Sequence, residues 1–166
     1  DIVFYKEIAY NETVIKKRGR NWDLPSFRGK DVRKMSNIPR KEYPRPQFVR
    51  ENWINLNGTW AFEIDNGRSG EARGLQKVGT ALSGEITVPF CPESELSGVQ
   101  HTDFMYGVWY KRTVTVTEKQ LKGRAVLHFG AVDYCAKVFV NGELADTHKG
   151  GYVSFEFDVT ALLKAG

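Results

Sequence analysis

The sequence predicts an all-β sandwich or barrel, on three observations. Short apolar runs alternate with a period of two, so one face of each segment is buried. They recur about every dozen residues with turn residues between them and no intervening helices, the spacing of sandwiches and barrels. Composition agrees: 16 glycines and 13% aromatic residues suit many turns and strands, and 41% apolar residues suffice for a core.

Each element follows in chain order. Residues 1–46 show no sustained period and carry Pro25, Pro39, Pro44 and Pro46, so they read as an extended lead-in. Within it, residues 5–9 or 12–17 form at most a short strand or a helical turn. Tyr43-Pro44-Arg45-Pro46 holds an extended path, because proline pushes the preceding residue out of the helical region. From Trp53 the texture changes. In "WINLNGTWAFEID", Trp60, Phe62 and Ile64 alternate with Ala61, Glu63 and Asp65, which predicts a strand. "EITVPF" is a short strand stopped by Pro89. "GVWYKRTVTV" places Val108, Tyr110, Arg112, Val114 and Val116 on one face and Trp109 and Lys111 on the other. "RAVLHFGAVDYCAKVFVNG" predicts two strands broken near Gly130, and Asn141-Gly142 is a hairpin signal because a type I′ turn needs two positive φ angles. "YVSFEFDV" is the last strand. Gly150-Gly151 predicts a bulge or corner, with Tyr152 packed beneath it. The helical expectation is confined to "DVTALLKAG", where Asp158 or Thr160 caps one short turn.

Charge and length exclude several classes. Residues 1–50 hold 13 Lys and Arg against 6 Asp and Glu, while the remaining 116 hold 11 against 14. A basic arm can meet nucleic acid, but no zinc spacing, recognition helix or RNA-binding aromatic signature accompanies it. An extended basic segment lying on an acidic partner domain explains the charge equally well. No nucleic-acid or membrane partner is expected, since no apolar run is long enough to span a bilayer. Cys91 and Cys135 are too few for a disulfide framework and predict free thiols in a reducing, cytoplasmic compartment. The 166 residues are too few for a sandwich plus a (β/α)8 barrel, which alone needs about 250.

Four pieces then occur in order: Leu56, Asn57, Gly58 and Trp60; Trp109, Tyr110, Lys111 and Arg112; Val138, Asn141 and Gly142; and Gly150, Gly151, Tyr152, Phe155 and Asp158. Over residues 43–163 this series resembles the N-terminal sugar-binding domain of glycoside hydrolase family 2, the family of β-galactosidases, β-glucuronidases and β-mannosidases. The resemblance implies a jelly-roll sandwich of the galactose-binding type over 43–166, preceded by an extended basic arm over 1–42. It further implies a parent exo-glycosidase of carbohydrate metabolism that hydrolyses terminal β-glycosides with retention. β-Galactoside is the first expectation and β-glucuronide the next; a stand-alone carbohydrate-binding module and a structural interaction domain are the alternatives. The catalytic glutamate pair, about 5–5.5 Å apart in a retaining enzyme, would lie in a barrel that, with an immunoglobulin-like domain, completes the polypeptide. The domain itself is therefore expected to be non-catalytic, with no cofactor and no metal.

Glu93 and Glu95 in "CPESEL" are the nearest thing to a carboxylate pair, but two residues apart on a loop they read as solvated turn residues. His101, His128 and His148 lack metal-ligand spacing. The stretch "SGVQHTDFMYG", residues 97–107, is the candidate sugar contact. Sugars are held by planar hydrogen-bonding groups beside aromatic faces, and the loop offers His101, Asp103, Phe104 and Tyr106. His101, Asp103 and Tyr106 are the candidate substrate-binding residues, with an interdomain or plain surface loop as the competing reading. The resemblance also implies a further strand after Gly166. Without it the sandwich is expected to be marginal, to associate, or to close with residues from 1–46.

Overall fold

The computed structural model describes residues 1–7, 13–18, 38–42, 47 and 53–165. Among these residues ten strands form two antiparallel sheets. They are β1 (Ile2–Glu7), β2 (Thr13–Arg18), β3 (Trp53–Asn55), β4 (Gly58–Ile64), β5 (Gly84–Val88), β6 (Val108–Arg112), β7 (Arg124–Phe129), β8 (Cys135–Val140), β9 (Glu143–Lys149) and β10 (Phe155–Asp158). One sheet runs β5-β4-β6-β1-β8-β9 and the other β10-β7-β2-β3. This is the jelly-roll β-sandwich that the sequence predicts.

The core between the sheets is built by the period-two faces. Trp60, Phe62, Ile86, Val108, Tyr110 and Val138 of the six-stranded sheet meet Leu127, Phe129 and Phe155 of the other. Phe129 and Phe155, paired across β7 and β10, stack with centroids 4.8 Å apart.

The expected strand at residues 53–65 is two strands in different sheets, because Leu56-Asn57 turns the chain from β3 into β4. Arg112 explains that turn. Its guanidinium donates to Leu56 O at 2.8 Å and Asn57 O at 3.1 Å and lies 5.9 Å from the Trp60 ring, whose indole N–H donates to Leu56 O. Gly58 has φ +122°, a conformation that L side chains rarely adopt. The first two motif pieces are thus one structural unit, in which a half-buried arginine satisfies the carbonyls of a turn.

Residues 1–42 were expected as an arm, and that reading is corrected at two places. β1 lies inside the larger sheet, paired with both β6 and β8, with Ile2 and Val3 fully buried. β2 pairs with β7 and β3. Six-residue strands are too short to show a sustained period. β1 thus joins the larger sheet and β2 the smaller one.

A second departure concerns the far face of the larger sheet, which is buried too. Val3, Trp109, Phe139 and Leu75 form a separate small core beneath the segment 65–82. Asp65 pins that segment: its carboxylate accepts from Trp109 Nε1 at 2.9 Å, Gly70 N at 2.7 Å and Ser69 N at 3.0 Å. Burial pushes the Asp65 carboxyl up, but these donors and the nearby Arg73 outweigh it and hold it below its ordinary range. Lys111 is buried on the same face and donates to Lys77 O and Thr80 O.

The turn expected over 158–166 is a 3-10 turn at Thr160–Leu162, with the Asp158 carboxylate accepting from Thr160 N and Oγ1. A short helix α1 (Glu118–Leu121), closed by a Thr117–Gln120 capping box, had no place in the sequence reading.

Candidate functional site

The stretch 97–107 is held by local chemistry at both ends. Ser94 caps a 3-10 turn at Glu95–Ser97, and the buried Ser97 hydroxyl donates to Ser94 O at 2.7 Å and accepts from Val99 N at 3.0 Å. His101 N donates to Pro92 O. At the far end Met105 is buried in the core, and Gly107 lies so close to Tyr5 that an added Cβ would come within 2.2 Å of its hydroxyl oxygen. Asp65 N donates to Gly107 O, and Tyr106 N donates to Asn66 Oδ1 at 3.2 Å, which ties this loop to the one after β4.

The three candidate residues share this loop but differ in environment. Asp103 and Tyr106 are exposed, whereas His101 is half-buried with Nε2 enclosed and without a hydrogen bond among the described residues. Tyr106 meets Phe104 edge to face at 4.8 Å, and the Arg68 guanidinium lies 5.6 Å from the Tyr106 ring. The arrangement offers one carboxylate acceptor beside two exposed aromatic rings. Glu93 and Glu95 are exposed on their turn, as expected. His128 sits on β7 with Nδ1 3.0 Å from Glu156 Oε1 across to β10, away from this loop.

Strand register brings other loops to the same end of the sandwich. Ile64 and Lys6 pair with Val108, and Glu7 and Lys149 pair with Cys135. The loops after β4, before β6, before β8 and after β9 therefore emerge together. The last two touch: Gly150 N donates to Tyr134 O at 2.8 Å, and a Cβ on Gly151 would come within 2.6 Å of Asp133 Oδ1. With φ +136° at Gly150, this is why the corner carries two glycines. Tyr152 does not pack beneath the corner; it is 96% exposed. Tyr134 is exposed as well. Tyr134 was not singled out from sequence and Tyr152 was read as packed, because an aromatic beside a strand reads as core.

A β-sandwich with hydrogen-bonding groups and aromatic rings on the loops at one end has the architecture of a carbohydrate-handling domain. Residues 97–166 match the family described as "Glycosyl hydrolases family 2, sugar binding domain". The chain is 33% identical over 133 residues to a β-glucuronidase of Felis catus, a match covering 75% of this chain and 20% of that protein. It is 42% identical over 64 residues to a β-galactosidase of Thermoanaerobacter pseudethanolicus, covering 39% of this chain and 9% of that one. Among solved structures, a Lactobacillus rhamnosus β-glucuronidase superposes with a TM-score of 0.59 at 31% identity, over 67% of this chain and 19% of that chain. The chain carries the N-terminal sugar-binding domain of glycosyl hydrolase family 2. It spans about one fifth of the length of the β-glucuronidases it matches.

Proposed function

We propose that this chain is the non-catalytic N-terminal domain of a retaining exo-glycosidase acting on terminal β-glycosides, with β-glucuronide as the substrate class. The single observation behind the sugar is the extent of likeness: β-glucuronidase similarity runs over 75% of the chain, β-galactosidase similarity over 39%. The sequence reading put β-galactoside first; it becomes the second reading, supported by the higher identity of that shorter stretch. In this proposal the chemistry belongs to a glutamate pair in a barrel domain of the parent. The sandwich braces that barrel, together with an immunoglobulin-like domain, and the loop 97–107 shapes the rim of its pocket. Asp103 would hydrogen-bond sugar hydroxyls, with Tyr106 packing beside them and His101 supporting the loop. The free thiols Cys91 and Cys135 go with a cytoplasmic setting in the same proposal.

The test is to express the complete open reading frame that encodes this chain and assay it with nitrophenyl β-glucuronide, β-galactoside and β-mannoside. Preference for the glucuronide supports the proposal. Preference for the galactoside selects the second reading, and hydrolysis of none overturns both.

A further inference from the structure

We infer that the loop end of the sandwich is itself a binding surface for a linear oligosaccharide, formed by the loops before β6, before β8 and after β9. This deepens the carbohydrate reading above and rests on it. Among the described residues four aromatic rings are more than half exposed, Phe104, Tyr106, Tyr134 and Tyr152, and register places all four at this one end. Large aromatics left in water are normally scattered singly, and their concentration marks a binding surface. Tyrosine suits that role, because a rigid ring supplies contact area at low entropic cost while its hydroxyl stays wet.

The rings are held in place rather than merely left outside. Tyr106 is fixed by the Asn66 hydrogen bond and by its contacts with Phe104 and Arg68. Tyr134 and Tyr152 flank a corner closed by the Gly150–Tyr134 hydrogen bond and the tight Gly151–Asp133 approach. Neighbouring strands lie about 4.8 Å apart and β1 lies between β6 and β8, so the starts of those two strands, which directly follow the loops of Tyr106 and Tyr134, are separated by roughly 10 Å. One pyranose does not bridge that span; two or three joined ones do. The polar groups among the rings, Asp103 and Asp133 against Arg68 and Lys149, balance in charge, which favours a hydroxyl-rich ligand over a polyanion. Among the described residues Val153 is the one exposed aliphatic side chain beside the corner, too little for a dry protein interface.

The experiment is an amide-resonance titration of the 166-residue chain with cellotetraose, β-1,4-galactotetraose and a hyaluronan tetrasaccharide, and with glucose, galactose and glucuronic acid. The expected result is perturbation confined to residues 101–107, 132–135 and 150–154 by at least one tetrasaccharide, with at least tenfold weaker binding of the monosaccharides. Tyr134→Ala and Tyr152→Ala, both at exposed positions, should each weaken binding several-fold while the remaining spectrum is unchanged. The inference is overturned if no tetrasaccharide perturbs these residues, if both variants bind as tightly as the parent chain, or if the same residues respond to protein concentration and not to sugar. None of these outcomes touches the proposed function, which is read from nitrophenyl glycoside hydrolysis by the complete protein.

Discussion

Trp60 within β4 and Asp65 just after it, five residues apart, show how differently single side chains serve this fold. Trp60 fills the core between the sheets, and its indole N–H donates to the Leu56 carbonyl. Its replacement by alanine should cost about 3–5 kcal/mol, read as a fall in the urea midpoint, because the ring volume leaves a cavity that neighbours only partly close. Asp65 instead holds a covering segment in place. Asp65→Ala strands the Trp109 indole and the Gly70 amide without an acceptor, which should cost roughly 1–3 kcal/mol. Because Trp109 sits in the small outer core, that variant should also change its fluorescence, and an unchanged emission spectrum would contradict the assigned contact. Trp60 was legible as buried from its alternation with Phe62 and Ile64. The burial of Trp109 and Lys111 on the opposite face was not. Period two identifies one buried face and is silent on whether a later loop folds over the other.

At the scale of elements, the C-terminal turn and the first two strands carry separate expectations. The Asp158 carboxyl is held down to about 2 by the Thr160 hydroxyl first and then by the Arg124 guanidinium. A carboxyl depressed on folding stabilises fully above its unfolded value of about 3.9, and that contribution fades as pH falls toward the folded value. Melting curves should therefore show the parent chain losing its advantage over Asp158→Asn between about pH 4 and pH 2, and not above. The pair is largely exposed, so the effect is small and should weaken further in high salt. β1 has a larger role. Removing residues 1–18 leaves β6 and β8 with unpaired ladders in the middle of a sheet and β7 without β2. The shortened chain should aggregate or fail to unfold cooperatively; a monomer melting like the parent, by light scattering and circular dichroism, would show that these strands are dispensable. The sequence hinted at strands at 5–9 or 12–17, within a residue or two of β2 but displaced from β1. Six residues of alternation cannot be told from an extended arm until their partners, far away in sequence, are known.

For the whole molecule, the isolated chain should not turn over nitrophenyl β-glucuronide, β-galactoside or β-mannoside. Glu93 and Glu95 stand exposed on one turn, with no second carboxylate wall among the described residues to enclose a scissile bond. Turnover that survives repurification would refute this. By itself the sequence determined the all-β class, most strand positions from β4 to β10, the Asn141-Gly142 hairpin and the family, since alternation and turn residues act locally and the motifs carry the structural glycines, tryptophans and Arg112. It also singled out the loop 97–107, because polar planar groups beside aromatics are visible in any linear reading. Only the tertiary structure decided that β1 lies inside a sheet and that residues 65–82 bury a second face. It alone placed Tyr134 and Tyr152 in solvent at the same end as Tyr106. Those outcomes depend on register between strands as far apart in the chain as Ile2 and Val140, which sets which loops emerge side by side. No local pattern encodes that register.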